Sequence, residues 1–304
     1  MAKHLGFLLL VIGIVVGCDG LVGAISGRMI RTVPDVGVNQ TNTAQALFTR
    51  EADVLILGSS RANHSFDCGV LEDALGMSCY NAGRDGQNML YDQMVFSAYT
   101  ERHVPQWLIL DINGSMLDAS WMDNLKEMNC FYGLSPACDQ IIEKNATWTE
   151  RMKLKSSLYR YNNTWQWLLN AHLAADQSAL DGYRPMPVNA RTTFKASFKK
   201  GGKQTVDERC LSALDTIRLA CQEKHIRLAL TYSPTLVVDT VGGTEDWIQQ
   251  YADRYGLPFY DYGRDERFYS HPDWFYDMTH LNAVGAKRFT QVFVEDFNNK
   301  RRIQ

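Results

Sequence analysis

The chain has 304 residues, 45% hydrophobic, 21% charged and 11% aromatic, with a formal net charge of −3. That is a globular composition, long enough for one large domain or two small ones. The near-neutral charge leaves no electrostatic footprint for nucleic acid, and no internal repeat or low-complexity segment stands out.

Lys3 and His4 precede an apolar run from Leu5 to Cys18, and Leu21 to Ile25 extends it past Asp19. Read as one helix, Leu5 to Ile25 is 21 residues, just enough to cross a bilayer. Asp19 would be costly near the midplane and tolerable close to one end. Three readings stay open. Residues 1–30 form an uncleaved anchor, or Val15-Val16-Gly17-Cys18 is a lipoprotein cleavage box that leaves Cys18 lipidated, or the segment is a cleaved signal peptide. Each puts the body of the protein outside the cytoplasm, and an anchor would hold it at the membrane, in the periplasm or on the cell surface. Residues 31–50 follow as a polar stretch with Pro34, Gly37 and several Asn and Thr, and read as a tether.

From residue 51 onwards strands and helices alternate. Asp53 to Gly58 is an aliphatic run bounded by glycine and fits a buried parallel strand. Phe66 to Leu75 has helical spacing and stops at Gly76. Met77 to Asn81 reads as a second strand, Met89 to about Arg102 as a helix, and Trp107 to Ile112 as a third strand. Further on, Val206 to Lys224 is a helix, Ile226 to Tyr232 a fourth strand and Glu245 to Tyr255 a helix. Pro258 to Tyr262 is a fifth strand, and Leu281 to Phe297 a closing helix. Alternation without hairpin signals predicts an α/β fold, a doubly wound, flavodoxin-like parallel five-stranded sheet with helices on both faces, in the order 2-1-3-4-5.

Residues 116–205 break the rhythm. They hold Trp121, Trp148, Trp165 and Trp167, and twelve Lys or Arg against eight Asp or Glu, a net +4. A structureless loop of that length is improbable, so a mainly helical insertion is expected. Its aromatics either fill a small secondary core or face the substrate as a lid.

Setting Cys18 aside leaves six cysteines. Cys130 with Cys138, or Cys68 with Cys79, could close a short loop. Cys210 and Cys221 fall on one predicted helix, about 16 Å apart and too far to bond. No metal-ligand spacing appears, so no metal or other cofactor is expected.

Ligands of doubly wound sheets bind at the carboxyl ends of the strands. Four segments should gather there: Gly58-Ser59-Ser60, Asn81 through Gly86, Asp111-Ile112-Asn113-Gly114-Ser115, and Asp277-Met278-Thr279-His280-Leu281-Asn282. Together they supply the parts of acyl transfer. A serine hydroxyl needs a base, an imidazole serves at neutral pH, and a carboxylate on its other nitrogen fixes the tautomer. Backbone amides of Ser60 and the glycine loop are natural oxyanion donors. Taken singly, Gly-Ser-Ser after a strand is a common turn or N-cap, Asp-x-x-His a common accident, and Gly83 and Gly86 ordinary turn glycines.

In order and placement the segments resemble the SGNH (GDSL-like) hydrolases. The resemblance implies Ser60 as nucleophile, Gly86 as an oxyanion donor, and Asp277 with His280 completing the triad. The third block departs: where the family has Gly-x-Asn-Asp, this chain has Ile112-Asn113-Gly114-Ser115, so Asn113 donates from a shifted position or that donor is missing. Gly-Ser-Ser in place of Gly-Asp-Ser, with an N-terminal anchor, resembles the envelope acyltransferase members of the family. These work beside a polytopic membrane O-acyltransferase partner. The implied function is an extracytoplasmic serine esterase or O-acyltransferase acting on an acyl ester or cell-envelope glycan, with membrane contact through the N-terminal segment. Arg61, Arg84, Trp165 and Trp167 are the candidates for holding substrate. Two rival readings are an inactive SGNH-fold protein that binds glycan or scaffolds a modification system, and a site in which His64 is the base and His280 only caps a helix.

Overall fold

The computed structural model describes residues 2–174, 181–188 and 194–301. A 30-residue helix α1 (Ala2–Arg31) comes first and α2 (Asn39–Phe48) is next. The chain then runs β1 (Val54–Gly58), α3 (Ser60–Ser65), α4 (Cys68–Leu75), β2 (Cys79–Asn81), α5 (Met89–Thr100) and β3 (Trp107–Asp111). The insertion contributes α6 (Gly114–Leu117), a 3₁₀ segment (Met122–Phe131), α7 (Pro136–Asn145), α8 (Trp148–Leu154), α9 (Ser157–Arg160) and α10 (Trp165–Leu173). After it come β4 (Ser197–Lys199), α11 (Glu208–Glu223), β5 (Arg227–Tyr232), β6 (Val237–Asp239) and α12 (Gly243–Tyr255). The chain closes with β7 (Phe259–Asp261), α13 (Glu266–Tyr269), a short 3₁₀ turn and α14 (Ala283–Arg301).

The main sheet is five-stranded in the order β2-β1-β3-β5-β7, and every pairing is parallel. In terms of the five strands expected from sequence this is the order 2-1-3-4-5. The reason lies in the two faces of each central strand. Leu55 and Leu57 of β1, with Leu108 and Leu110 of β3, point into one core shared with α2, α5, α7 and α11. Val54, Ile56, Trp107 and Ile109 point into the other, against Phe289, Phe293 and Phe297 of α14. Both faces are dry, so β1 and β3 read as continuous apolar runs rather than alternating ones. Each fully buried aliphatic side chain contributes about 1.5–3 kcal/mol of transfer free energy.

Two features differ from the sequence reading. The segment read as a tether at 31–50 contains α2, whose Thr41, Asn42, Thr43, Ala44, Gln45, Ala46 and Leu47 are buried. Most of its hydroxyls and amides find partners inside the domain, as where Thr43 Oγ1 meets Tyr91 Oη at 3.1 Å and Thr41 Oγ1 donates to the Val38 carbonyl at 3.0 Å, which is how a polar composition comes to lie inside. Sequence polarity therefore misled. The second feature is a small parallel sheet of β4 and β6, three residues each, absent from the sequence reading. Residues 175–180 and 189–193 of the expected insertion lie outside the described residues.

All seven cysteines are free thiols, and Cys210 and Cys221 share α11 as expected. Cys68 and Cys79 are buried with their Sγ atoms 2.9 Å apart.

Candidate active site

The site is built where β1 stops. Gly58 has φ +143°, and a Cβ there would lie 2.5 Å from the Asp111 carbonyl and 2.8 Å from Ala62 Cβ. Only glycine lets β1 turn so abruptly into α3 with β3 alongside. Ser59 is the extended N-cap and Ser60 the first helical residue, so the Ser60 hydroxyl stands at the carboxyl edge of the sheet, half-buried. The next loop packs hard against this helix. A Cβ on Gly83 would meet Asn63 N at 2.8 Å, and Asn81 Nδ2 donates to the carbonyls of Ala62 (2.9 Å) and Phe66 (3.1 Å).

The loop ahead of α14 brings His280 to Ser60. His280 Nε2 is 2.8 Å from Ser60 Oγ, and His280 Nδ1 is 2.8 Å from Asp277 Oδ2. An ionised carboxylate only accepts, so Nδ1 carries the proton and Nε2 offers its lone pair to the serine O–H. Asp277 is itself fixed by the Thr279 amide (2.8 Å) and the His280 amide (2.9 Å) on Oδ1. Partial burial works against its charge, but the His280 ring and these amides outweigh it and hold the carboxyl well below the ordinary range. The loop is braced in turn: Leu236 N donates to Met278 O (2.9 Å), and Asn282 Oδ1 caps the start of α14 through the Val284 and Gly285 amides, both at 3.0 Å.

Asn113, at the tip of β3, reaches the same edge. Its Nδ2 donates to Ser59 Oγ at 2.5 Å and its Oδ1 accepts from Ser115 N at 3.1 Å. Ser60, His280 and Asn113 together line a cleft of about 540 Å³. Its walls add Trp121, Lys199, Gln204, Thr235, Asp239 and Thr279, so the small β4–β6 sheet and the insertion form one side. The lining is largely hydroxyl, amide and charged, with Trp121 and Tyr232 as its aromatic surfaces.

The other candidates are engaged in other contacts. Gly86 has φ +67°, and its carbonyl accepts from Asn124 Nδ2 at 2.6 Å; it is not among the described residues that line the cleft. Arg61 touches the cleft, but its guanidinium is committed inward, to Ser233 and to the Tyr232 ring, 4.1 Å from the centroid. Ser233 is held by Asp111, whose Oδ1 accepts the Ser233 amide at 2.8 Å and whose Oδ2 accepts its hydroxyl at 2.9 Å. Arg61 thus locks the tips of β3 and β5 together. Arg84 is 1% exposed; it pairs with Glu127 at 2.9 Å and donates to Thr43 Oγ1 at 2.9 Å, bracing α2. Trp165 and Trp167 pack on the main core from α10, beside α1 and outside the cleft. His64 is 2% exposed and faces the Arg184 carbonyl at 2.6 Å and Asp85 at 3.1 Å, its ring 5.8 Å from that of His280. The geometry therefore gives Ser60 to His280, not to His64.

Sequence reasoning missed Gly83, Trp121 and the Ser59–Asn113 bond. The spacing of Gly83 from Asn81 was visible, but nothing local tells a turn glycine from one pressed against a neighbouring helix. Trp121 was one of four tryptophans in the insertion with no signal to rank it.

The fold and site together define a doubly wound α/β protein with a Ser-His-Asp triad at the carboxyl ends of its strands. No protein-family model matches the chain, and no curated protein does. Among solved structures it is similar to a chain from Desulfitobacterium hafniense named for the lipolytic G-D-S-L family, at 11% identity and TM-score 0.40, covering 80% of this chain and 97% of that one. It is also similar to a Bacteroides fragilis protein named as an acylhydrolase, at 12% identity and TM-score 0.38 over 87% and 99% of the two chains. A GDSL-like lipase from Bacteroides thetaiotaomicron matches at 9% identity and TM-score 0.34, over 80% and 87%.

Proposed function

We propose that this chain is a serine acyl-ester enzyme of the SGNH (GDSL-like) type, acting outside the cytoplasm on an acylated or acyl-accepting envelope glycan. The observation that carries the reading is the unbroken line Ser60 Oγ–His280 Nε2, His280 Nδ1–Asp277 Oδ2, at 2.8 Å for each link. His280 takes the Ser60 proton as Oγ attacks the acyl carbonyl, and Asp277 stabilises the imidazolium that forms. The Ser60 amide, at the start of α3, is the backbone donor offered to the oxyanion, with the Asn113 amide group one residue away on Ser59. Collapse of the tetrahedral intermediate passes the proton from His280 to the departing alcohol and leaves an ester on Ser60. A second hydroxyl, from water or a sugar, then takes the acyl group by the reverse steps.

Support for a sugar comes from the cleft wall. Gln204, Thr235, Thr279 and Asp239 offer amide, hydroxyl and carboxylate partners, and the Trp121 face suits a pyranose ring. A fatty acyl chain would want an apolar tunnel instead. Support for an extracytoplasmic place comes from α1, long and apolar enough to cross a membrane by length and composition. A polytopic membrane O-acyltransferase belongs to this proposal as the acyl donor, on the analogy of layout alone.

The test is fluorophosphonate labelling of the purified chain, followed by turnover of aryl acetates with and without soluble glycans. An adduct on Ser60, lost in Ser60→Ala together with turnover, is expected, and acetylated glycan among the products would mark transfer. Unlabelled Ser60, with turnover retained in Ser60→Ala, would reject the assignment.

A further inference from the structure

Helix α1 has two halves. Its residues from Lys3 to Cys18 are exposed, whereas from Asp19 onwards it packs on α2, α9 and α10. Asp19 marks the boundary between them. Its carboxylate accepts from Ser156 Oγ at 2.6 Å, Ser157 N at 3.0 Å and Leu158 N at 2.9 Å, so the residue that looked costly in the apolar run is fully partnered by the insertion. One turn further on, Gly23 lies against Ser157, where a Cβ would touch the Ser157 side chain. The start of α9 is thereby fastened to α1 at residues 19–23.

Helix length then sets how close the domain must sit to the bilayer. The free apolar stretch Leu5 to Cys18 rises about 21 Å as a helix. A hydrocarbon core is about 30 Å thick, so a spanning α1 must draw on the residues after Cys18 to make up the difference. Those are the residues to which the Ser156–Leu158 corner is bonded, and the corner is carried down with them. Its outer surface is unusual for a soluble domain. Trp148 is 74% exposed, Met152 48% and Leu158 46%. Trp148, Met152 and Lys155 recur at i, i+4 and i+7, one stripe of α8 and its C-cap, flanked by exposed Arg151 and Lys153. A tryptophan with aliphatic neighbours and a fringe of lysine and arginine is the composition that settles at a headgroup boundary, with rings at the ester level and cations against lipid phosphates.

We propose that the outer face of α8 and the start of α9 form a membrane-contact surface, lying in the headgroup region of the bilayer beside the anchor. This rests on reading α1 as an uncleaved anchor. It makes the insertion a collar that seats the catalytic domain on the lipid at a fixed height, instead of a domain swinging on a tether.

The experiment uses the full chain in phosphatidylcholine–phosphatidylglycerol vesicles, in a Cys18→Ser background because Cys18 is the exposed cysteine. Leu158→Cys and Met152→Cys are labelled in turn with an environment-sensitive fluorophore, and Val284→Cys, exposed on α14 across the sheet, is the control. Fluorophosphonate labelling of Ser60 confirms that each variant is folded. Lipid carrying a spin label near the headgroup should quench the dye at 158 and at 152 severalfold more than at 284. Vesicle-bound chain with equal quenching at all three positions overturns the membrane-contact surface while leaving the anchor intact. Chain that fails to float with vesicles overturns the anchor reading, and this inference with it.

Discussion

Ser60 owes its position to Gly58 and its readiness to a histidine 220 residues away. Ser60→Ala should cut turnover of an aryl ester at least about a thousandfold with binding largely kept, because the nucleophile is lost and the cleft is not. Asp277→Asn should cost about 10³–10⁴ in kcat by releasing the tautomer of His280, with the fold unchanged in thermal unfolding. Normal rates in either variant would end the triad reading. A different residue governs stability against pH. Glu245 is 1% exposed with neither carboxylate oxygen hydrogen-bonded among the described residues, and burial pushes its carboxyl from 4.5 to about 7. The native state then keeps a proton that the unfolded chain has already lost between those two values. Stability is therefore greatest below pH 4.5 for this group, falls as pH rises to about 7, and is level above it. The whole drop is on the order of 3 kcal/mol. Glu245→Gln should flatten that window, so the difference in Tm between mildly acidic and mildly alkaline buffer shrinks relative to wild type. An identical pH dependence in both proteins would show that Glu245 does not hold the proton.

Elements meet at the site through close backbone approaches. The loop after β2 lies so near α3 that Gly83 has no room for a side chain, with Asn63 N 2.8 Å from where a Cβ would sit. Gly83→Ala should push α3 off β1, cost about 1–3 kcal/mol in chemical denaturation and lower kcat by misplacing Ser60. A variant with wild-type stability and rate would show the contact to be slack. The same side of the sheet holds Cys68 at the start of α4 and Cys79 at the start of β2, with Sγ atoms 2.9 Å apart. Burial raises the Cys68 thiol well above its ordinary value, so the pair is slow to react while folded and reduced. A disulfide donor present during folding should link Cys68 to Cys79 and leave Cys130, Cys138, Cys210 and Cys221 open to alkylation after unfolding, as peptide mass spectrometry would show. Closing that short loop would add roughly 3 kcal/mol. Alkylation of both Cys68 and Cys79 after oxidative folding would exclude the bond.

At the scale of the whole molecule, α1 belongs to two environments. Ser26 is 0% and Ile30 1% exposed inside the domain, while Lys3 to Cys18 stand clear of it. Removing residues 1–18 should leave Tm nearly unchanged. Removing residues 1–31 strips Ile30 from the core and exposes the α2 face, at a cost of about 2–5 kcal/mol. Equal melting of the two truncations would show the docked half of α1 to be idle.

Much of this was legible in the sequence, and the reason is local. A strand buried on both faces must be apolar throughout, so β1 and β3 announced themselves. Alternation with amphipathic helices then left few topologies, and the sheet order came with them. Ser60, Asp277 and His280 were legible because each sits at an element boundary whose own chemistry is short-range. The substrate candidates were not: Arg61, Arg84, Trp165 and Trp167 were chosen for residue type, and a guanidinium or an indole serves a buried strut as well as a binding wall. Their partners, Ser233, Glu127 and the α1–α10 packing, are distant in sequence. The same holds for the polar helix α2, which composition placed in solvent and packing placed inside. What the sequence determined by itself is the sheet, its order and the three residues that meet at its edge, because periodicity and boundary chemistry are properties of neighbours along the chain. What only the tertiary structure decided is which arginines and tryptophans face the cleft, where Asp19 finds its donors, and that the insertion grips α1. Those are properties of neighbours in space.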